Sequence, residues 1–291
     1  MTGSSAASAS PSRSRPAPRV PAPSTCARPS CSAEATVGRP PGPRAVRAAL
    51  TAPRRRPRTR LVTLNIDHGG GPRIPAITTA LLRHAPDLVV LTEYRVNEVG
   101  ARLLRRLAAG GLTFQVTSHP PSGVESVAVA SCLPIGSVRE PLTGRHGHRV
   151  LEVELAGLTL GAVYFPLGSA TRTFWRDKFL ALAATRIARP YCFAGDWNTG
   201  RQGVDEVGAT FAAAREFEAL TEAGWTDAWR VLHPEGRQYT WVSNRGEGFR
   251  VDHALLSPSL ASCLRAAVIS EAERIPRITD HAALVVDLDL A

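Results

Sequence analysis

From Leu61 onward the chain alternates between two hydrophobic rhythms. Leu61-Val62-Thr63-Leu64-Asn65-Ile66-Asp67 reads as a strand, closing on two polar residues before His68-Gly69-Gly70-Gly71. Residues 72–85 then carry Ile74, Ile77, Leu81 and Leu82 at helical spacing, with Pro75 tolerated in the first turn. Leu88-Val89-Val90-Leu91 predicts a fully buried strand that ends at Thr92-Glu93-Tyr94-Arg95, and residues 97–109 predict a second amphipathic helix. Strands are expected at 112–117, 125–132, 149–155 and 158–165, the last two joined tightly at Ala156-Gly157. A long helix at 171–188 precedes the apolar strand from Arg189 to Ala194, which leaves through Gly195-Asp196-Trp197-Asn198. After a helix at 210–223 come strands at 239–242 and 249–256, then Thr279-Asp280-His281 and a last strand at 282–290. Strands outnumber helices and hairpin connections dominate, which predicts a layered α/β fold with mixed sheets, unlike a doubly wound parallel one.

Polar residues recur where these strands stop: Asn65 and Asp67, Glu93, Tyr164, Asp196 and Asn198, Asp252, Asp280 and His281. An acid at the end of a buried strand is costly unless it is paired, protonated or bound to a cation. For Glu93 the plain partners are Arg95 or Arg73; for Asp252, Arg250. Asp196-x-Asn198 could form an ordinary Asx-turn. It also places a carboxylate that can take a proton from water beside an amide that can donate to an oxyanion. Oxygen donors without thiolates or paired histidines suit Mg²⁺ or Mn²⁺ rather than Zn²⁺. A hard cation, an aspartate, an asparagine and a histidine together suit attack of water on a phosphate ester.

Charge redraws the boundaries. Of the net +10, residues 1–60 hold 12 Arg and one acid, Glu34, a net of +11; residues 61–291 keep 23 basic and 24 acidic residues, a net of −1. The Ser-, Pro-, Ala- and Arg-rich residues 1–60 show no hydrophobic periodicity and are expected to be a disordered tail, with residues 61–291 the catalytic domain. The run Arg54 to Arg60 reads as a solvated linker or a non-specific phosphate contact. The five cysteines are odd in number and form no C-x-x-C pair, which favours buried thiols and a reducing, cytoplasmic setting. No stretch has the length of a membrane span, and a monomer is expected.

Six motifs in order carry a family resemblance: LNID at 64–67, PDLVVLTE at 86–93, VYFPLG at 163–168, GDWNTG at 195–200, RVDHALLS at 250–257 and TDHAALVVDL at 279–288. The chain from Leu61 to its end resembles the endonuclease/exonuclease/phosphatase superfamily, of DNase I-like fold. The stretch 217–242, Tyr164-Phe165-Pro166 and Arg250-x-Asp252 resemble its exodeoxyribonuclease III and apurinic endonuclease branch. The resemblance implies four layers, two mixed and mostly antiparallel β-sheets flanked by helices. It implies Glu93 as the direct ligand of Mg²⁺ (Mn²⁺ substituting), Asn65 and Asp67 in support and Asp280 nearby. Asp196 would activate or position the nucleophilic water, Asn198 and Tyr164 would contact the phosphate, and His281, oriented by Asp252, would stabilise phosphoryl charge. Arg95, Phe249 and Arg250 are the candidate substrate-binding residues.

The implied activity is phosphodiester hydrolysis on DNA, with abasic-site repair as a specific form. The loop between Trp241 and Arg250 is brief and the domain is nearly neutral, so DNA binding requires arginines such as Arg73, Arg95, Arg145, Arg172, Arg201 and Arg245 to share one face. Two other readings stand beside it: hydrolysis of a small or lipid phosphate ester, and a non-catalytic scaffold whose basic tail binds nucleic acid.

Overall fold

The computed structural model describes residues 58–168, 173–208 and 210–290. Its framework is two six-stranded sheets. The first has the order β13 (Leu264–Ser270), β14 (Ala283–Asp289), β1 (Arg58–Asn65), β2 (Leu88–Arg95), β4 (Glu125–Ser131) and β3 (Phe114–Thr117). The second has the order β5 (Val138–Arg139), β6 (Val150–Leu155), β7 (Leu158–Tyr164), β8 (Tyr191–Asp196), β12 (Asp252–Leu256) and β9 (Thr226–Asp227). A small ribbon, β10 (Trp241–Val242) with β11 (Gly248–Phe249), stands apart. Each large sheet contains one parallel pair, β1–β2 and β7–β8, and every other pairing is antiparallel.

The pleat sorts side chains into layers. Leu61, Leu88, Val90, Val127 and Val129 of one sheet meet Leu160, Ala162, Cys192, Ala194, Ala254 and Leu256 of the other in a common core. The alternate residues Val62, Leu64, Val89, Leu91, Ala128 and Ala130 pack outward with Ile77 and Leu81 of α1 (Ile74–Arg83) and Leu103 and Leu107 of α2 (Glu98–Ala109). Asn97 caps α2, its side chain accepting the Gly100 N–H. On the outer face of the second sheet, Tyr191, Phe193 and Trp197 pack with Phe165, Trp175, Phe179 and Phe217. Helix, sheet, sheet, helix: the expected four layers are present.

Twofold alternation fixes where the polar strand ends face. Continuing the inward set of β1, β7, β8 and β12 by two residues reaches Asn65, Tyr164, Asp196 and Asp252. Parallel pairing puts the C-terminal ends of β1 and β2, and of β7 and β8, at one edge of each sheet. Antiparallel β12 begins there too, Asp252 lying opposite Asp196. The site is therefore assembled by register.

Four expectations need correction or refinement. β1 begins at Arg58, because β14 runs far enough to pair with it and Asp287 holds Arg60 (Nε–Oδ1 2.7 Å) and Arg58 (3.6 Å). Arg58–Arg60 thus belong to the sheet, and the rest of the expected tail lies outside the described residues. The helix expected at 171–188 is present over residues 173–186 with a π-turn, Trp175–Phe179, inside it, and residues 171 and 172 lie outside the described residues. β13 went unforeseen: Arg265, Ser270 and paired alanines weaken its strand signature, although Val268 and Ile269 alternate outward and inward. Among the described cysteines, all free, Cys192 is buried, Cys263 is half-buried and Cys132 is exposed.

Candidate active site

Asn65 sits where the two sheets open. Its Nδ2 donates to Glu93 Oε1 at 3.0 Å and to Asp196 Oδ2 at 2.9 Å, while its Oδ1 accepts the Asp67 N–H. Glu93 reaches this point through a bulge. The register of β2 against β4 shifts between Thr92 and Tyr94, and Glu93 takes a φ of +55°. The shift moves Tyr94 to the outer core and turns the carboxylate of Glu93 inward to Asn65. The backbone N–H of His68 donates to Glu93 Oε2 at 2.7 Å. Arg73 pairs with Asp67 at 2.9 Å and also donates to the Asp67 and Ile278 carbonyls. The Glu93–Arg95 pair does not form; Arg95 binds Glu125 at 2.8 Å.

On the second sheet, Asp196 is buried and accepts the Asn198 N–H at 2.9 Å, the Asx-turn bond read from sequence. Asn198 holds a φ of +49° and donates one side-chain N–H to the Phe165 carbonyl at 2.8 Å. Gly195 is required here, since a Cβ would fall 1.9 Å from the Val163 carbonyl oxygen. His281 Nδ1 lies 2.8 Å from Asp252 Oδ2, and the buried Asp252 Oδ1 has no hydrogen-bond partner. Burial raises the Asp196 pKa and Asp252 adds to the shift, against His281. Burial works against the His281 imidazolium, yet Asp252 prevails and raises its pKa to about 10. The Tyr164 hydroxyl donates to Glu125 Oε2 at 3.2 Å, and burial followed by the charge of Glu93 pushes its pKa far up, so it remains a phenol.

The structure brings these groups into two sets. Ligand atoms of Asp67, His68 and Glu93 lie within 4.8 Å of one another, as do those of Asp196, Asp252 and His281. The donors are carboxylate oxygens with one imidazole in each set, and one buried carboxylate oxygen lacks a donor. That composition fits a divalent cation. Asp280 belongs to neither set; its Oδ2 accepts Trp241 Nε1 at 3.1 Å.

A cavity of about 530 Å³ opens over Asp196, Asn198 and His281, walled by Leu167, Phe211, Trp241, Phe249 and Val251. Phe249 packs against Trp241 (5.5 Å between centroids) and Phe211 (5.9 Å), and Trp241 bridges to His281 through the backbone. Phe249 thus lines the cavity over Asp196 and His281. Arg250 does not. It is fully buried, with Nε 2.8 Å from Asp205 Oδ1 and Nη2 2.8 Å from Asp227 Oδ2. Burial opposes the charge on Asp227, but Arg250 and His253 outweigh it and hold that pKa far below the usual carboxylate range. Nor does Arg250 pair with Asp252, which is committed to His281. His253 completes the network through the Thr199 carbonyl, so these groups brace the turn that carries Asn198. Sequence reading missed His68, Glu125, Asp205 and Phe211 as site or bracing residues. Glu125 did leave a signal, as the one acid entering the otherwise uncharged strand Ser126 to Ser131.

Acidic groups from two sheets converging on cation-binding positions, with a buried carboxylate and an imidazolium beside them, define a metal-dependent phosphodiester hydrolase. The chain belongs to the Endonuclease/Exonuclease/phosphatase family, whose sequence profile matches residues 62–281. No curated protein matches it in sequence. Its fold is similar to that of an AP endonuclease from Archaeoglobus fulgidus (21% identity, TM-score 0.70, covering 80% of this chain and 100% of that one). It is also similar to the 3′ phosphatase NExo from Neisseria bound to a product DNA hairpin (23%, 0.66, 79% and 99%) and to the 3′-5′ exonuclease NExo from Neisseria meningitidis (24%, 0.65, 79% and 100%).

Removing Arg250 separates its structural role from the substrate role read in sequence. Arg250→Leu leaves Asp205 and Asp227 without their shared cation, a change of about 3–5 kcal/mol for a broken buried pair. Thermal denaturation should show a midpoint lower by about 6 °C or more. An unchanged midpoint with a raised KM would return Arg250 to the substrate.

Proposed function

We propose that the protein is a Mg²⁺-dependent nuclease that cleaves DNA, with an abasic site as its preferred target. The observation that carries this reading is the aromatic-walled cavity directly over Asp196 and His281. Its size and apolar walls suit a sugar or nucleotide turned out of a duplex. Beside it, sharing Asp280, runs a second hollow of about 700 Å³ lined by Arg73, Arg274 and Arg277, which suits flanking phosphates. An apolar pocket alone would suit a lipid ester; the arginines alongside favour DNA. The AP endonuclease and the DNA-bound phosphatase of similar fold support the same substrate. Of the other arginines singled out in sequence, Arg201 lines a separate hollow and Arg172 lies outside the described residues.

In this reading Glu93 and Asp67 hold the cation, with Asn65 as their support. When bound, it neutralises charge on the scissile phosphate. Asp196 is the base: burial makes its carboxylate more eager for a proton, and it takes one from water as the water oxygen closes on phosphorus. The ester oxygen departs with the bonding electron pair. His281 is the wrong group to act as base at neutral pH, since Asp252 keeps it protonated. It instead donates a hydrogen bond to a phosphoryl oxygen, as does the second N–H of Asn198, while the Tyr164 hydroxyl, whose proton goes to Glu125, holds that carboxylate beside the site. Among the described residues no helix is long and apolar enough to cross a membrane. We place the protein in the cytoplasm, as a monomer.

The decisive assay uses the full chain on four substrates: duplex DNA with one abasic site, intact duplex, single strands and bis-p-nitrophenyl phosphate. Mg²⁺-dependent incision at the abasic site is expected, with Asp196→Asn slower by about 10³-fold. Turnover of the small ester alone would move the substrate away from DNA, and Mg²⁺-independent DNA binding without turnover would point to a scaffold. Replacing Arg274 and Arg277 with Ala should raise KM for duplex DNA about 10-fold and reduce the salt slope by roughly two, leaving the small ester untouched. Loss on both substrates would place these arginines in catalysis or folding.

The pH profile tests the proton on His281. With its pKa raised to about 10, the imidazolium persists through neutrality and is lost only as pH climbs through that value. Asp252→Asn removes the charge that raises it, so the alkaline fall in kcat should move down toward neutral pH. A fall that stays in place would detach His281 protonation from turnover.

A further inference from the structure

Two ionisable side chains have no role in the steps above: His68, which lines the catalytic opening, and Glu125, which is hydrogen-bonded to it. His68 follows Asp67 on the glycine-rich exit from β1, and both hold left-handed backbone, with φ of +53° and +50°. Gly69 continues the turn at +78°, packed so that a Cβ would lie 3.2 Å from the Arg95 side chain. This backbone places Asp67, His68 and Glu93 with ligand atoms within 4.8 Å of one another.

The two ring nitrogens of His68 differ. Nδ1 is 2.6 Å from Glu125 Oε1 and 3.4 Å from Glu93 Oε2. Nε2 makes no hydrogen bond to the described residues and lies 4.0 Å from Asp67 Oδ1. Glu125 is itself well fixed. Oε1 also accepts Arg95 Nη2 at 2.8 Å, and Oε2 accepts the Tyr164 hydroxyl. One nitrogen on an anchored carboxylate, the other open beside Asp67, is the arrangement by which proteins orient a metal-ligating histidine.

The geometry points to His68 Nε2 as a ligand of the cation held by Asp67 and Glu93, with Glu125 as the residue that orients the ring. This rests on the metal-dependent reading of the same site. The consequence concerns which cation it is. Two carboxylates offer hard oxygens that suit Mg²⁺, which retains most of its water. An imidazole nitrogen adds little for Mg²⁺ and considerably more for Mn²⁺, Fe²⁺ and Co²⁺. The centre therefore selects a transition-metal ion of the manganese type, and Mg²⁺ supports the reaction as the weaker occupant. The competing role for His68 is that of a counter-charge, an imidazolium set among Asp67, Glu93 and Glu125. The two roles predict opposite signs when the ring is removed: loss of a ligand weakens Mn²⁺ binding, whereas loss of a positive charge tightens both Mn²⁺ and Mg²⁺.

The test uses the full chain, stripped of metal and without DNA. Mn²⁺ is titrated by the loss of its free electron paramagnetic resonance signal, Mg²⁺ by competition, and the bound Mn²⁺ is probed by pulsed measurements for coupling to ¹⁴N. Wild type should show nitrogen coupling that survives His281→Ala and disappears in His68→Ala. Mn²⁺ affinity should fall about 10-fold or more in His68→Ala and by about 10-fold in Glu125→Gln, which retains the coupling. Mg²⁺ affinity should change by less than about twofold in His68→Ala. Nitrogen coupling that persists without His68, or tighter binding of both ions, would overturn the assignment. So would bound Mn²⁺ with no nitrogen coupling in wild type, which leaves the metal-dependent reading intact. Failure of wild type to bind Mn²⁺ or Mg²⁺ at all would overturn that reading as well. Glu125→Gln keeps the test sharp should His68→Ala fold poorly.

Discussion

One amide group joins the two halves of the active site. The Nδ2 of Asn65, at the end of a strand in the first sheet, donates to one oxygen of Glu93 of that sheet and to one of Asp196 of the other. These carboxylates would otherwise face each other at a largely buried edge, where like charges are costly. The amide lowers that cost while remaining neutral, so the region stays acidic enough to attract a cation. Its carbonyl meanwhile fixes the start of the Asp67–Gly71 turn. A single side chain thus sets the separation of the acids, the direction of the metal loop and the alignment of the sheets at their shared edge.

The rigidity of that edge comes from groups that never meet substrate. Phe165 lies at the centre of an aromatic packing with Phe174, Trp175 and Phe179, at centroid distances of 4.6–5.0 Å and nearly perpendicular planes. The carbonyl of the same residue holds the Asn198 side chain. From the opposite side, Arg250 ties Asp205 to Asp227, and His253 carries that brace to the Thr199 carbonyl. The turn after β8 is clamped between an aromatic core and a buried ion network. Donors fixed in this way need not reorganise when charge develops on a phosphate, which is the main source of electrostatic catalysis.

Much of this was legible in the chain. Twofold alternation through Leu61 to Asn65 and Tyr191 to Asp196 is enough to place the terminal polar residues on the same face as the inner core. The order of six motifs supplied the layers. What stayed hidden depended on partners distant in sequence. Arg250 looks like a substrate contact until Asp205 and Asp227 are seen to enclose it, 45 and 23 residues away. Glu93 would face the outer helices by simple alternation, and only the β2 bulge turns it inward. β1 gains three residues because β14, at the other end of the chain, is long enough to pair with them. Periodicity records which face a residue prefers, and it contains no information on such cross-chain neighbours.

Six non-glycine residues hold left-handed backbone among the described residues, and four of them are Asp67, His68, Glu93 and Asn198. Left-handed backbone is uncommon for any residue with a Cβ; Asp, His and Asn tolerate it better than most, and Glu93 least of the four. Glycine at any of the four would relax the chain and remove a functional group in the same step. Selection for heat resistance alone would therefore act on these positions early, enriching variants that are sturdier and inert. In this fold the most stable sequence and the most active one lie in different directions, and the divergence is concentrated in four backbone torsions.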